Sequence, residues 1–248
     1  MPVPCRCSLL FVLFVSCCLS ATYAQSFVLP DSFKLVYEQD FESPQALRDF
    51  TMTDPNAWQV RDTANQRSLD LFGKSDYQGP VRSPFNIALL NDLYVGDFAL
   101  SVRLAQTGRE YGHRDLCLFF NFVDAANFYY VHLATKPDDH ANNIFLVDNE
   151  PRVKISTKTS SGTDWGATGS WHEARIIRRV ATGEILIYFD DWSAPAMVAK
   201  DTHFRIGRLG VGSFDDTGRF DDIRVWAPKT YTPTTHLFQP FIENQMGH

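Results

Sequence analysis

The stretch at residues 205–226, RIGRLGVGSFDDTGRFDDIRVW, decides the fold. Two short β-type runs flank Asp215-Asp216-Thr217-Gly218. Asp and Gly tolerate the backbone angles of a tight turn, so these four residues predict a hairpin. Gly207, Gly210 and Gly212 interrupt the first run, as happens where a strand bends or another backbone comes close. In the second run Asp221, Ile223 and Val225 alternate with Phe220, Asp222, Arg224 and Trp226, the period of a half-buried strand. The segment reads as the closing strands of an antiparallel sandwich. It says more about fold than about chemistry.

The same alternation runs back through the chain, from residues 34–42 through 98–105, 116–122, 128–134, 172–179 and 184–190, punctuated by Gly, Asn, Asp and Pro. Helical periodicity is scarce, and a single turn around 44–50 is the only helix expected. Many short strands at this spacing predict an all-β protein, a two-sheet antiparallel β-sandwich of jelly-roll type. One domain over residues 25–228 accounts for them, followed by an extended tail at 229–248 that is polar and interrupted by proline.

Residues 1–24 read as a secretory signal: Arg6, an uncharged apolar run at 9–15 too short to span a bilayer, and a small-residue cleavage site at Thr22-Tyr23-Ala24. A secreted or periplasmic protein is expected, with lipoprotein anchoring through Cys17 or Cys18 as the less favoured form. Four of the five cysteines lie in this segment. The remaining one, Cys117, sits in the apolar run LCLFF and reads as a small buried hydrophobe rather than a nucleophile. Without a disulfide, the domain must rely on a large core. The formal net charge is −6, one unit more negative without Arg6. With no basic stripe and no further long apolar stretch, neither nucleic-acid binding nor a membrane span is expected. The 20 Phe, 9 Tyr and 5 Trp suit pleated strands and also suit sugar stacking.

The strings LVYEQDFES (35–43), VGDFALSVRL (95–104), FYYVHL (128–133), WHEARIIRR (171–179), TGEILIYFDD (182–191) and GRFDDIRVW (218–226) give the chain a likeness to a known group. It resembles the concanavalin A-like lectin/glucanase superfamily, LamG-like domains included, over about residues 35–228. The resemblance implies a jelly roll and a glycan-binding concave sheet. It does not choose among lectins, hydrolases and lyases.

Three sets of residues carry candidate chemistry. In strand 128–134 Tyr129, Val131 and Leu133 face the core, so Phe128, Tyr130 and His132 face outward. In strand 116–122 Leu116, Leu118, Phe120 and Phe122 oppose Asp115, Cys117, Phe119 and Asn121. In strand 98–105 Ser101 and Arg103 point out. Arg103, His113, Arg114, Tyr130 and His132 are therefore expected on one concave surface, where aromatic faces stack on sugar and Arg pairs with carboxylate or sulfate. Tyr130 or His132 beside Arg103 or Arg114 would also suit a polysaccharide lyase. His113, His132 and His140 with Asp138 or Asp139 match no compact metal spacing.

Glu38, Asp40 and Glu42 alternate on the first strand, about 6.6–6.8 Å apart, a triplet like that of superfamily glucanases but on an opening strand. The first and last strands are neighbours in many jelly rolls. Asp40, Glu42, Asp221 and Asp222 would then suit a structural Ca2+, which the resemblance also implies. Three function classes remain open: a carbohydrate-binding lectin-like protein with a glycan partner, acidic or neutral; a glycoside hydrolase or polysaccharide lyase on the same surface; and a LamG-like protein-interaction domain.

Overall fold

A computed structural model describes residues 26–63 and 66–232. The expected signal at 1–24 and all but the first residues of the tail lie outside the described residues. The strands in chain order are β1 (Lys34–Gln39), β2 (Phe50–Met52), β3 (Trp58–Thr63), β4 (Gln66–Leu71), β5 (Asn86–Val95), β6 (Phe98–Gln106), β7 (Asp115–Asp124) and β8 (Asn127–Ala134). Then come β9 (Asn143–Asp148), β10 (Val153–Lys154), β11 (Ser156–Lys158), β12 (His172–Arg179), β13 (Glu184–Phe189), β14 (Met197–Lys200), β15 (Gly207–Ser213), β16 (Gly218–Ala227) and β17 (Thr230–Tyr231). The expected helical turn is a 3-10 turn, Ala46–Asp49, and a second, unexpected one follows at Pro55–Ala57.

The strands form two antiparallel sheets. The first runs β11-β14-β13-β12-β6-β16-β4-β3, with β1 also paired to β16. The second runs β10-β9-β8-β7-β15-β5-β17, with β2 also paired to β5. Between them lies one apolar core that includes Leu100, Val102 and Leu104 from β6, Leu116, Leu118 and Phe120 from β7, and Tyr129, Val131 and Leu133 from β8. The alternation of each strand is thus as the sequence implies.

Four expectations change. First, residues 214–217 do not close a hairpin, because β15 and β16 belong to different sheets. The turn carries the chain across the sandwich. The glycines of β15 serve close approach of backbones: a Cβ on Gly212 would lie 1.9 Å from the Asn86 carbonyl oxygen. Second, β16 carries a register shift, with Asp222 at φ 47°. The extra residue lets Phe220 face the core and then Ile223 and Val225 do so as well. Third, Asn121 at φ 43° marks a shift in β7, which moves Phe122 to the outer face. Fourth, the tail begins by pairing: Thr230 and Tyr231 extend the second sheet beside Val95 and Tyr94.

Arg178 joins the two sheets from inside. It shares a strand face with Ile176, so its guanidinium points inward and is 0% exposed. Nη1 donates to the carbonyls of Gly183 (2.9 Å) and Asp201 (2.8 Å), Nη2 to that of Phe204 (3.1 Å), and Nε to Asn121 Oδ1 (3.2 Å). The guanidinium also lies over the Tyr129 ring at 5.3 Å. A planar fork with five donors meets these acceptors at once, whereas an ammonium cannot. Arg178→Met should lower unfolding free energy by on the order of 3 kcal/mol, since buried acceptors lose their donors. Arg178→Lys should recover less than half of that, as measured by denaturant titration.

Candidate glycan-binding pocket

Outward-facing residues of the second sheet are not bare. Cys117, Phe119, Phe122, Phe128, Tyr130, Phe145 and Val147 make a buried cluster with Ile87 and Leu89. Its rings stack closely: Phe122 on Phe128 at 4.6 Å and Tyr130 on Phe145 at 5.1 Å. Such a face must be covered, and the connection between β4 and β5 helps to cover it. Val81 packs on the cluster, and Ser75 N–H bonds Asn86 Oδ1 at 2.8 Å.

Beyond this cover the face opens into a pocket of about 250 Å3. Its floor is Asp115 and His132, from β7 and β8. Around them stand Tyr111 and His113, His140, Arg82 and Arg152, and Phe214 and Asp215 from the crossover turn. The Arg152 guanidinium lies 4.3 Å from the Phe214 ring centre and 5.6 Å from that of Phe145. Its Nε and Nη1 are buried and make no hydrogen bond among the described residues. Only Nη2 reaches a partner, the His140 carbonyl at 3.4 Å. Neither Arg82 nor Arg152 has a carboxylate within ion-pair distance among the described residues; Asp138 pairs with His113 (2.6 Å), Asp139 with Lys154 (2.6 Å) and Asp115 with His132 (3.1 Å), while Asp215 also lines the pocket.

The floor is organised by Asp115, which is 1% exposed. Its Oδ2 accepts from the Phe214 N–H (2.8 Å) and from the Cys117 thiol (3.2 Å). His132 Nε2 is at ion-pair distance from the same oxygen but off the hydrogen-bond direction, so the contact is electrostatic. Burial acts to raise the Asp115 pKa, but His132 and these hydrogen bonds outweigh it and hold the carboxyl below the usual range. Asp216 accepts from the Asp115 N–H (2.9 Å) and the Tyr111 hydroxyl (2.7 Å). Burial and the neighbouring Asp115 charge push its pKa up to about 6. Burial likewise raises Tyr130, whose hydroxyl has no partner among the described residues, far above a useful base.

The predicted site residues separate. His113 and His132 line the pocket, and Tyr130 lies buried beside it. Arg114 is buried and turns away, with Nη2 on the Gly166 carbonyl at 3.2 Å and Nη1 3.4 Å from Thr168 Oγ1. Arg103 is on the outer face of the other sheet, because β6 joins the first sheet while β7 and β8 join the second. There it lies 4.9 Å from the Trp171 ring and pairs with Asp221 (3.4 Å) and Asp222 (3.2 Å).

The expected calcium ligands do not gather. No three of Asp40, Glu42, Asp221 and Asp222 bring oxygen atoms within 4.8 Å of one another, although β1 and β16 do pair. Asp222 is shared between Arg103 and Arg224, Glu42 accepts from the Arg67 N–H, and Asp40 accepts from Glu42 N–H. Glu38 of the acidic triplet is held by Arg224 at 2.7 Å.

Sequence reasoning passed over Arg82, Arg152 and Phe214 as site residues. Nothing local marks either arginine. A second cleft of about 370 Å3 contains His172 and Phe189, but His172 is fully engaged by Asp190 (2.7 Å) and the Trp165 carbonyl (3.0 Å).

A Bacillus subtilis protein of unknown function with a galectin-like fold superposes with a TM-score of 0.51 at 11% identity, over 78% of this chain and 97% of its own. The fold is galectin-like, a two-sheet antiparallel jelly-roll sandwich. Carbohydrate-binding module CBM66 from Bacillus subtilis gives 0.48 at 17% identity, over 71% and 93%. Domain 4 of AbnA, an extracellular arabinanase from Geobacillus stearothermophilus solved with arabinotriose, gives 0.49 at 11%, over 81% and 95%. No family model matches the sequence, and no curated protein does.

Burial is the main influence raising the Asp221 pKa, against a hydrogen bond from Gln66 and the charge of Arg103. A raised folded-state pKa gives stability that is present below the ordinary carboxylate pKa and is lost as pH rises through the folded value. Asp221→Asn should therefore gain stability relative to the parent as pH rises from 3.5 to 7. A loss on the same rise, followed by thermal melting, would contradict this electrostatic account.

Proposed function

We propose that the protein is a carbohydrate-binding, lectin-like sandwich. Its site is the pocket between Arg152, Arg82, His140 and Phe214, and its ligand is a glycan bearing a carboxylate or sulfate. The observation that carries this reading is the state of Arg152. A guanidinium held against two aromatic rings, with two buried donor atoms left without protein partners, is poised for an anionic acceptor. Buried donors normally have partners, and the oxygens of a carboxylate or sulfate are strong acceptors for guanidinium N–H groups. Arg82 adds a second unpaired cation, and Tyr111, Phe214 and the two exposed-side histidines offer ring faces and donors to a sugar.

Binding is favoured over turnover by the same chemistry. Tyr130, the lyase-type base expected from the strand pattern, is buried with its pKa raised. His132 is tied by Nδ1 to the His140 carbonyl at 3.0 Å and by its other nitrogen to Asp115. The secretory reading of residues 1–24 agrees with a glycan met outside the cytoplasm.

Calorimetry against uronate-containing, sulfated and neutral oligosaccharides tests the proposal. An acidic glycan should bind, and Arg152→Gln should weaken it by about 10–100-fold, the value of one or two charge-assisted hydrogen bonds. Arg103→Gln, on the opposite sheet, should leave affinity unchanged. An unchanged affinity in Arg152→Gln, or loss in Arg103→Gln, would place the site elsewhere.

A further inference from the structure

We infer that Asp115, Cys117 and His132 form a zinc site in the floor of this pocket. The inference goes beyond the glycan reading and stands whether or not a sugar binds above it.

The argument begins with the sheet. Cys117 and His132 are directly opposite across the β7–β8 ladder, and Asp115 is two residues from Cys117 on the same strand face. Three different donor types, a thiol, an imidazole and a carboxylate, therefore project from one face into one spot. Each offers a ligand atom within 4.8 Å of the others. Asp115 Oδ2 is 3.1 Å from His132 Nε2 and 3.2 Å from Cys117 Sγ. Tetrahedral zinc, with Zn–N and Zn–O of about 2.0–2.2 Å and Zn–S of about 2.3 Å, holds its ligands roughly 3.3–3.8 Å apart. These two separations need only a few tenths of an ångström of expansion to accept the ion, and the third, between Cys117 and His132, lies within 4.8 Å.

Two further observations point to a cation. His132 Nε2 and Asp115 Oδ1 are buried without a hydrogen-bond partner among the described residues, each belonging to a residue more than nine-tenths buried. The supports behind them are also those of a metal site. His132 Nδ1–H donates to the His140 carbonyl at 3.0 Å, which turns Nε2 toward the cluster, where a metal would take the place of its proton. Asp115 Oδ2 is oriented by the Phe214 N–H at 2.8 Å. Ligating imidazoles and carboxylates are characteristically fixed by such outer bonds.

The donor set selects the ion. Thiolate and imidazole favour zinc over calcium or magnesium, which take oxygen ligands. Asp115 and Cys117 in their anionic forms neutralise a divalent charge that a buried site would otherwise penalise. Three protein ligands leave a fourth position, and Asp115 and His132 both line the pocket, so that position opens to water there.

The test uses the full chain and a second full chain in which Cys5, Cys7, Cys17 and Cys18 are serine, which removes the other thiols. After chelation and desalting under reducing conditions, each is titrated with Zn2+ and with Co2+. The serine-substituted chain should take up one equivalent of Zn2+. With Co2+ it should show the near-ultraviolet charge-transfer band of a thiolate ligand. Cys117→Ser in that background should abolish the band, and His132→Ala should weaken Zn2+ binding by at least about 100-fold, both with parental apo circular dichroism. His113→Ala should bind as the parent does. Absence of stoichiometric zinc from the serine-substituted chain, or a thiolate band that survives Cys117→Ser, overturns the site. The readout needs no sugar, so its failure is separate from failure of glycan binding.

Discussion

Asp115 carries a charge that is almost wholly buried, and the arrangement of the pocket follows from how that charge is satisfied. The carboxylate takes the N–H of Phe214, the thiol of Cys117 and the nearby imidazole of His132. One side chain thereby fixes the start of β7, the facing residue of β8 and the turn where the chain crosses between sheets. Asp216, in that same turn, returns a bond to the Asp115 N–H. The crossing is thus pinned by a reciprocal pair of buried acids, which is possible because one is held ionised and burial and repulsion raise the other. Phe214 is brought over the pocket as a consequence, and Arg152 lies on it.

Two arginines show what the fold does with a cation. Arg178 is enclosed and every acceptor around it is filled, so it acts as a rivet between β12, the bulge at Asn121 and the segment 201–204. Arg152 lies against two rings, but its Nε and Nη1 donors are left over. Unsatisfied buried donors are costly. A fold that retains them beside an opening has placed that cost where a ligand can offset it.

Much of this was legible in the chain. Alternation at 128–134 and 116–121 gave the correct inner and outer faces, because period 2 is a local property of a strand. Where it failed, a single residue was responsible: Asn121 and Asp222 take left-handed backbone angles, and each shift exchanges faces downstream. Arg103 was assigned correctly to an outward face and wrongly to the company of His132, since nothing within 98–106 states which sheet will accept it. That choice is made by pairing with β12 and β16, more than 70 positions away in sequence for Ala174 and Val102. The turn 214–217 has hairpin chemistry and is used as a crossover for the same reason. Arg82 and Arg152 reach the pocket only through long-range packing and carry no local mark.

The central claim is that the outer face of the second sheet, at the Arg152 end, receives an anionic sugar. A crystal structure of the protein soaked with a uronic-acid oligosaccharide tests it most directly. The account predicts the carboxylate between Arg82 and Arg152 with a sugar ring against Phe214 or Tyr111. Density for the sugar on the outer face of the first sheet, at Arg103 and Trp171, with the Arg152 pocket empty, would contradict it.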